Sequence, residues 1–175
     1  EHDWLTGLYN RRAAEAHVDE ALLKNGGGML LVLDIDHFKQ VNDRYGHLIG
    51  DALLCETART LRDIFFPRDI IGRVGGDEFM VCLRGISSRA VVEAIAQRMC
   101  VAVREATDAD ADQHGPVSIS LGIAMYPDDG TTYEELYRNA DKAMYRAKRL
   151  GGGSYAFFSD DAAASSSACG SGVGA

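Results

Sequence analysis

Acidic side chains stand at two places in this 175-residue chain where apolar, strand-like segments end. The run 34–36 (Asp-Ile-Asp) closes the apolar segment 29–33, and the run 75–79 (Gly-Gly-Asp-Glu-Phe) separates two further apolar segments. Hard divalent cations such as Mg²⁺ prefer carboxylate and carbonyl oxygens, so two acidic strand ends in one small domain could share a cation. On spacing alone, a metal-dependent phosphate site and a pair of solvated turns are equal alternatives.

The glycine pair predicts how the second acidic run is presented. Gly75 and Gly76 both tolerate positive φ, which is typical of a two-residue hairpin turn, and the missing side chains let a ligand approach the backbone. Strands over residues 70–74 and 79–83 would then flank the turn. This interpretation places Asp77 and Glu78 at the tip of a hairpin.

The composition limits the class of protein. The chain has 46% hydrophobic and 25% charged residues and a length that fits one globular domain. No apolar run approaches the roughly 20 residues of a membrane-spanning helix, and no signal-peptide pattern opens the chain. The net charge of −8 argues against a DNA- or RNA-binding protein, which needs a basic face.

The cysteine pattern predicts the cellular compartment. Cys55, Cys82, Cys100 and Cys169 show no Cys-x-x-Cys spacing, and the first three lie in apolar periodic segments. Such cysteines are typical of reduced, packed thiols. We therefore expect a cytoplasmic protein, or the cytoplasmic part of a larger, membrane-bound one.

The periodicity of the apolar residues predicts an α+β fold. Asn10 is the expected N-cap of the first helix, and the threonines 131–132 with the glutamates 134–135 fit a capping box for the last. From Met29 onward, the order of elements is β-α-β-β-α-β followed by α-β. It is typical of a ferredoxin-like or palm-type fold, with helices on one side of a mainly antiparallel central sheet. Predicted helices cover residues 10–23, 50–66, 88–106 and 131–150, predicted strands cover 29–34, 70–74, 79–83, 117–125 and 155–158, and 108–115 is a predicted loop.

The last residues differ in composition from the rest. Residues 159–175 are rich in Ala, Ser and Gly and have little to bury. We expect a folded domain over residues 1–158, followed by a disordered tail over 159–175.

A family resemblance is carried by several ordered blocks rather than by the five-residue run 75–79 alone. The chain resembles the GGDEF domain family, the diguanylate cyclases, over about residues 3–158. The resemblance implies a palm-type fold and a homodimer that joins two GTP molecules into cyclic di-GMP and releases pyrophosphate. The blocks are Asp3-Trp4-Leu5-Thr6-Gly7-Leu8-Tyr9-Asn10-Arg11-Arg12, Asp34-Ile35-Asp36-His37-Phe38-Lys39-Gln40-Val41-Asn42-Asp43, Tyr45-Gly46-His47, Gly50-Asp51, Ser120-Leu121-Gly122-Ile123, Ala140-Asp141 and Tyr145-Arg146-Ala147-Lys148.

The resemblance also implies a set of metal ligands. They are the carboxylates of Asp34 and Asp77, the carbonyl of Ile35, and Glu78 as a further ligand. The metal would be Mg²⁺ or Mn²⁺, with two ions at each site. Asp77 and Glu78 are the implied catalytic pair, and Glu78 is also a candidate for removing the 3′ proton. A carboxylate held beside a cation stays ionised, which makes it a better ligand than proton acceptor.

Substrate contacts follow from the same blocks. The resemblance implies that Asn42 and Asp51 recognise guanine, because one amide and one carboxylate match its donors and acceptor. Adenine lacks the N1 proton, so GTP should be preferred over ATP. His47 would contact the nucleotide or orient the Gly46 turn. The remaining implied substrate contacts are the backbone N–H groups of His37, Phe38 and Lys39, the turn residues Gly75 and Gly76, and the cation Lys148.

Two positions depart from the family pattern. Gly152 stands where the family usually has a phosphate-binding Arg, which predicts a raised KM for GTP that Gly152→Arg would lower. Phe66 occupies the Arg position of the Arg-x-x-Asp product-inhibition site, of which only Asp69 is in place. A phenyl ring lacks the donors of a guanidinium, so we expect feedback inhibition through this site to be weak or absent.

Two other functions remain open. Gly152 favours a weak or inactive GGDEF module that binds GTP or cyclic di-GMP and signals by contact. Another palm-type cyclase, making a cyclic mononucleotide or a mixed dinucleotide, is the second alternative, and Asp51 argues against it. For the enzyme we expect GTP as substrate, a homodimer for catalysis, no DNA or RNA partner, and an upstream sensory or regulatory domain in the longer protein.

Overall fold

A six-stranded sheet forms the centre of the computed structural model, which describes residues 1–25, 27–108 and 115–160. The sheet order is β1-β3-β4-β2-β5-β6. The pairs β3–β4, β4–β2 and β2–β5 are antiparallel, whereas β1–β3 and β5–β6 are parallel. The strands are β1 (Tyr9–Asn10), β2 (Gly28–Ile35), β3 (Ile70–Arg73), β4 (Glu78–Arg84), β5 (Ile119–Tyr126) and β6 (Tyr155–Phe157).

Helices cover both faces of this sheet. The helices are α1 (Arg11–Asn25), α2 (Phe38–Tyr45), α3 (His47–Ile64), α4 (Arg89–Asp108) and α5 (Tyr133–Arg149). Every residue of β2 is buried, and its side chains alternate between two cores. Leu31 and Leu33 pack with residues of α3 and α4, whereas Leu30 and Val32 pack with residues of α1 and α5.

The α+β class and the mainly antiparallel sheet are therefore confirmed, but the prediction of helices on one side is wrong. The apolar residues on both faces of β2 already require cover on both sides. Asn10 caps α1 as predicted, because its Oδ1 accepts a hydrogen bond from Ala13 N at 3.0 Å. Thr132 caps α5, accepting from the backbone N–H of Glu135 at 3.3 Å.

Several predicted boundaries shift. Sequence periodicity missed the two-residue strand β1 and the helix α2, and α3 begins at His47 rather than residue 50. Cys55, Cys82 and Cys100 are free thiols, and burial raises the pKa of Cys82 to about 12. Cys169, most of the predicted loop 108–115 and residues 161–175 lie outside the described residues.

The first two residues of the predicted tail are described and contact α4. Nη1 of Arg89 lies 3.3 Å from the Ser159 hydroxyl, and Nη2 of Arg89 donates to Oδ1 of Asp160 at 2.8 Å. Among the described residues, no helix combines the length and the apolar character needed to cross a membrane.

Candidate nucleotide and metal site

The two acidic runs meet at one edge of the sheet. β2 and β4 pair so that Asp34 lies opposite Glu78, and β2 and β5 pair so that Asp34 also lies opposite Ser120. The pairing continues one step beyond the β4 strand, since the N–H of Ile35 donates to the carbonyl of Asp77 at 3.3 Å. The strand register therefore brings together all four sequence-predicted metal ligands.

The hairpin tip differs from the predicted two-residue turn. Neither Gly75 nor Gly76 has a positive φ, and the N–H groups of Val74 and Gly75 both donate to the carbonyl of Glu78, at 2.9 and 3.3 Å. The reason for glycine at position 75 is space, because an added Cβ would lie 2.4 Å from Oε2 of Glu78. At Gly76 an added Cβ would meet nothing within 4 Å, so this glycine leaves the turn open to a ligand.

An arginine that sequence reasoning missed fixes this turn. Arg73 donates to the carbonyl of Gly76 from Nε at 3.2 Å and from Nη2 at 2.7 Å. Its Nη1 lies 3.1 and 3.2 Å from the two carboxylate oxygens of Asp3, which also accepts from the N–H and hydroxyl of Thr6. The N-terminal segment is thus connected through Arg73 to the turn that carries the predicted catalytic acids. An arginine two residues before the Gly75-Gly76 pair was the available sequence signal.

Asp34 is the most perturbed carboxyl group of the site. Burial raises its pKa to about 6, the charges of Asp77 and Glu78 add to the rise, and the hydrogen bond from Lys148 opposes it. Nζ of Lys148 lies 2.9 Å from Oδ1 of Asp34. Asp34 of β2 therefore pairs directly with Lys148 of α5, and the two hairpin acids act on Asp34 through their charge.

Glu78 faces a different set of neighbours. Burial raises its pKa, repulsion from Asp141 adds to the rise, and the Tyr137 hydroxyl, which donates to Oε1 at 3.4 Å, opposes it. Both neighbours come from α5. Tyr137 has no counterpart in the sequence-based list of site residues, because a tyrosine on an amphipathic helix gives no signal of its own.

The donor set suits a hard cation, although the carboxylates are not arranged as a finished metal site. Within the described ranges, no three His, Cys, Asp or Glu side chains lie close enough together to form one. Asp34 is paired with Lys148, and Glu78 accepts from Tyr137. Neighbouring carboxylates that raise one another's pKa favour the binding of positive charge, so a cation fits chemically and would compete with these two partners.

The residues implied in guanine recognition lie together where α2 meets α3. An added Cβ at Gly50 would lie only 1.9 Å from Oδ1 of Asn42, so the Asn42 amide packs against Gly50 and beside Asp51. The N–H of Gly46 donates to the carbonyl of Asn42 at 2.9 Å, which joins the two helices tightly. His47 begins α3 and is exposed.

A cavity of about 300 Å³ adjoins His37 and Lys148, two of the predicted phosphate contacts, and is called the phosphate-side cavity. Its lining residues are Asp36, His37, Lys148, Gly151 and Gly152. His37 precedes α2 and has φ 59°. Its carbonyl accepts hydrogen bonds from the N–H groups of Gln40 and Val41, which closes the first turn of α2 around Phe38 and Lys39.

The backbone at Gly152 affects how the variant Gly152→Arg can be interpreted. Gly152 has φ +75°, and an added Cβ would lie 2.8 Å from Oδ2 of Asp36. A side chain here would take a backbone conformation that L residues rarely adopt and would also displace Asp36. Gly152→Arg therefore changes the backbone together with the charge, and an unaltered KM in that variant would not exclude a role for the missing arginine.

The predicted product-inhibition residues lie elsewhere. Phe66 is exposed, and its N–H donates to Oδ2 of Asp69 at 3.1 Å, so Asp69 serves the local turn. The Arg68 guanidinium carbon lies 5.6 Å from the centre of the Phe66 ring. Phe66 and Asp69 line a cavity of about 340 Å³ with residues of the N-terminal segment, whereas the 300 Å³ phosphate-side cavity has a different lining.

Comparison with known proteins agrees with these features. The sequence profile of the family described as "Diguanylate cyclase, GGDEF domain" matches residues 1–154. An uncharacterized signaling protein of Caulobacter vibrioides is 44% identical over 163 residues, which cover 90% of this chain and 20% of that protein. The bifunctional diguanylate cyclase/cyclic di-GMP phosphodiesterase MucR of Pseudomonas aeruginosa is 39% identical over 162 residues, which cover 90% of this chain and 23% of MucR.

A solved structure of similar size is the isolated GGDEF domain of TpbB (YfiN) from Pseudomonas aeruginosa. It superposes with a TM-score of 0.80 at 33% identity and covers 94% of this chain and 99% of that one. By contrast, the chain spans only about a fifth to a quarter of the two curated relatives. The profile match and the shared fold show that this chain belongs to the GGDEF domain family of diguanylate cyclases.

Proposed function

We propose that this domain is a diguanylate cyclase that condenses two GTP molecules into cyclic di-GMP in a Mg²⁺-dependent reaction at a homodimer interface. The observation that carries the proposal is the meeting of Asp34 with the Asp77–Glu78 turn, beside Lys148. This arrangement combines carboxylates suited to a cation with an ammonium group suited to phosphate.

The reaction makes and breaks one phosphorus–oxygen bond at each of two steps. The 3′-hydroxyl oxygen of one nucleotide bonds to the α-phosphorus of the other, and the bond from that phosphorus to the pyrophosphate oxygen breaks. Each step releases one pyrophosphate and one proton, so two steps close the ring. Each protomer would hold one GTP, and the two half-sites must face each other.

The carboxylates of Asp34, Asp77 and Glu78 and the carbonyl of Ile35 would hold the metal, which supplies positive charge at the reacting phosphate. Lys148, now paired with Asp34, would turn to the phosphate oxygens when the cation neutralises Asp34. Burial and Asp141 raise the pKa of Glu78 against the hydrogen bond from Tyr137, so Glu78 is the candidate for taking up the 3′ proton where it does not itself bind the cation.

Guanine selection is assigned to the junction of α2 and α3. The Asn42 amide of α2 occupies the space that a side chain at Gly50 would take, and Asp51 follows Gly50 on α3. A purine with an N1–H donor would satisfy the Asp51 carboxylate, whereas adenine would leave it unpaired at a cost of about 1–3 kcal/mol.

Product analysis tests the proposal. The protein is incubated with Mg²⁺ and GTP, ATP or their mixture, and nucleotides and pyrophosphate are quantified. We expect cyclic di-GMP from GTP, none from ATP, and no mixed product. Asp34→Asn should abolish turnover, while Asp160→Asn, which contacts Arg89 on α4, should not. A cyclic mononucleotide or a mixed dinucleotide as the main product would refute the assignment.

A non-catalytic module is the second candidate, and the Gly152 position favours it. The glycine supplies no cation to the phosphate-side cavity, which leaves Lys148 as the basic residue in its lining. Absence of pyrophosphate release, together with saturable binding of GTP or cyclic di-GMP, would establish this function instead.

A further inference from the structure

Asp36 follows the last residue of β2 and has no assigned role in the proposed reaction. It is 8% exposed, and its N–H donates to the carbonyl of Ser118 at 2.9 Å. Alternate residues of a strand share a face, so Asp34 and Asp36 both point toward α5. Two carboxylates on one face of β2 therefore lie near the C-terminal end of α5.

The Asp36 carboxylate accepts three hydrogen bonds. Oδ2 accepts from the Ser118 hydroxyl at 2.6 Å and from the N–H of Gly153 at 2.8 Å, and Oδ1 accepts from the Ser120 hydroxyl at 2.7 Å. The serine bonds connect Asp36 to β5 and to the residue just before it. The Gly153 bond joins the end of β2 to the turn that follows α5, across 117 positions of sequence.

The turn after α5 ends at Ser154, whose hydroxyl donates to the Ala147 carbonyl at 3.4 Å and whose carbonyl accepts from the N–H of Leu121 at 2.9 Å. Gly151, Gly152 and Gly153 have φ angles of +113°, +75° and +64°, and three consecutive glycines are conformationally free in the absence of fixed contacts. The N–H groups of Gly151 and Gly152 donate back to the last turn of α5, at Lys148 and Ala147. Asp36 fastens the other end of this turn.

We propose that Asp36 is a positioning residue of the nucleotide site, which fixes the glycine turn 151–153 against β2 and thereby sets the place of Lys148. Asp34 contacts Lys148 itself at 2.9 Å, and Asp36 contacts the chain just after it. Asp36, Lys148 and Gly152 all line the 300 Å³ cavity. Asp36 thus shapes the cavity without touching the reacting atoms.

The same contact accounts for glycine at position 152. Any side chain there would press on Oδ2 of Asp36, whose hydrogen bond to Gly153 depends on that position. In this chain, the phosphate-side wall is held by a buried carboxylate and a backbone N–H, where the family pattern has an arginine side chain. The expected change in KM rests on the proposed function, because it requires turnover. The expected change in nucleotide affinity requires only that the domain binds GTP.

The test compares Asp36→Ala with Asp36→Asn. Alanine removes both acceptor oxygens and with them all three hydrogen bonds. We expect the KM for GTP to rise about tenfold while kcat changes less than about threefold. Asparagine keeps an acceptor for Ser118 and Gly153 and can donate to the Ser120 hydroxyl. We expect it to restore KM to within about threefold of wild type. Ser118→Ala, which leaves the Gly153 bond in place, is the matched control.

Equilibrium binding of α,β-methylene-GTP to the same variants separates this inference from the proposed function. Weaker binding in Asp36→Ala that Asp36→Asn restores supports the inference, even when wild type releases no pyrophosphate. Unchanged binding and KM in Asp36→Ala overturns it while leaving an active wild type unaffected. An asparagine variant as weak as alanine also overturns it, because charge would then matter rather than position. If Asp36→Ala does not fold, the Asp36→Asn variant still tests the inference. The inference requires Asp36→Asn to bind the GTP analogue nearly as tightly as wild type, and clearly weaker binding would overturn it.

Discussion

Arg73 offers the sharpest test of how the hairpin turn is held. Its guanidinium lies within hydrogen-bond distance of both carboxylate oxygens of Asp3 and of the carbonyl of Gly76. The side chains of Arg73 and Asp3 are 14% and 17% exposed. Breaking a fully buried ion pair costs about 3–5 kcal/mol and losing a hydrogen bond to a charged group costs about 1.5–3 kcal/mol. For this mostly buried pair, Arg73→Ala should lower the free energy of unfolding by about 2–3 kcal/mol.

Urea denaturation of wild type and Arg73→Ala measures this difference. Arg59→Ala is the matched control, because Arg59 pairs with Glu56 on the surface and is 70% exposed, so its removal should hardly change stability. The rate of pyrophosphate release should also fall by about tenfold or more in Arg73→Ala, since the turn carrying the proposed catalytic acids loses its anchor. A change in unfolding free energy no larger than that of Arg59→Ala would refute the reasoning.

The pH dependence adds a signed check. Burial raises the pKa of Asp3, but the hydrogen bonds from Thr6 and the pairing with Arg73 outweigh burial and hold that pKa below its usual value of 3.8. A lowered folded-state pKa gives stability that is present above the unfolded pKa and is lost as pH falls through the folded one. The difference between wild type and Arg73→Ala should therefore shrink below about pH 3.8. A difference that stays constant in acid would show that Asp3 is not the partner that matters.

Three further predictions concern the site and the core. Gly75→Ala should lower turnover by displacing Glu78, whereas Gly76→Ala, whose Cβ meets nothing within 4 Å, should change it little; equal losses in a pyrophosphate assay would contradict this. Because burial and neighbouring acids raise the pKa of Asp34 to about 6, protons compete with the metal below that pH. The apparent Mg²⁺ affinity should then fall up to about tenfold per pH unit, and calorimetry showing no change between pH 7 and 5 would count against it. Burial raises the pKa of Cys82 to about 12, so at pH 8 iodoacetamide should modify Cys82 only after denaturation, as peptide mass spectrometry can show.

Much of the fold could be predicted from local pattern. The capping residues Asn10 and Thr132 and the apolar periodicity of α4 and α5 are local signals, and the structure confirms them. The two-residue strand β1 gave no periodic signal, because its place comes from pairing with β3 across a long separation. The helices on both faces follow from the burial of β2 on its two sides. The apolar residues at every position of 29–33 are the sequence signal for this arrangement.

The candidate site divides in the same way. Asp34, Asp77 and Glu78 could be named from residue types and family pattern, and the strand register then brought them together. The residues that hold these acids and the neighbouring turn in place could not be named from the sequence, because their roles depend on three-dimensional contacts. Arg73 acts through Asp3 at the far end of the chain, and Asp36 acts through Gly153. The turn geometry at Gly75 was also wrong in the sequence-based prediction, since space beside Glu78 rather than positive φ requires glycine there.

The proposed metal-dependent reaction requires Asp34 and Asp77 to act together as ligands of one cation. Electron paramagnetic resonance of Mn²⁺ gives its affinity for wild type, Asp34→Asn, Asp77→Asn and the control Asp160→Asn. We predict that each of the first two substitutions weakens Mn²⁺ binding by at least about tenfold and that the control binds as wild type does. Folded Asp34→Asn and Asp77→Asn proteins that bind Mn²⁺ with wild-type affinity would contradict the account.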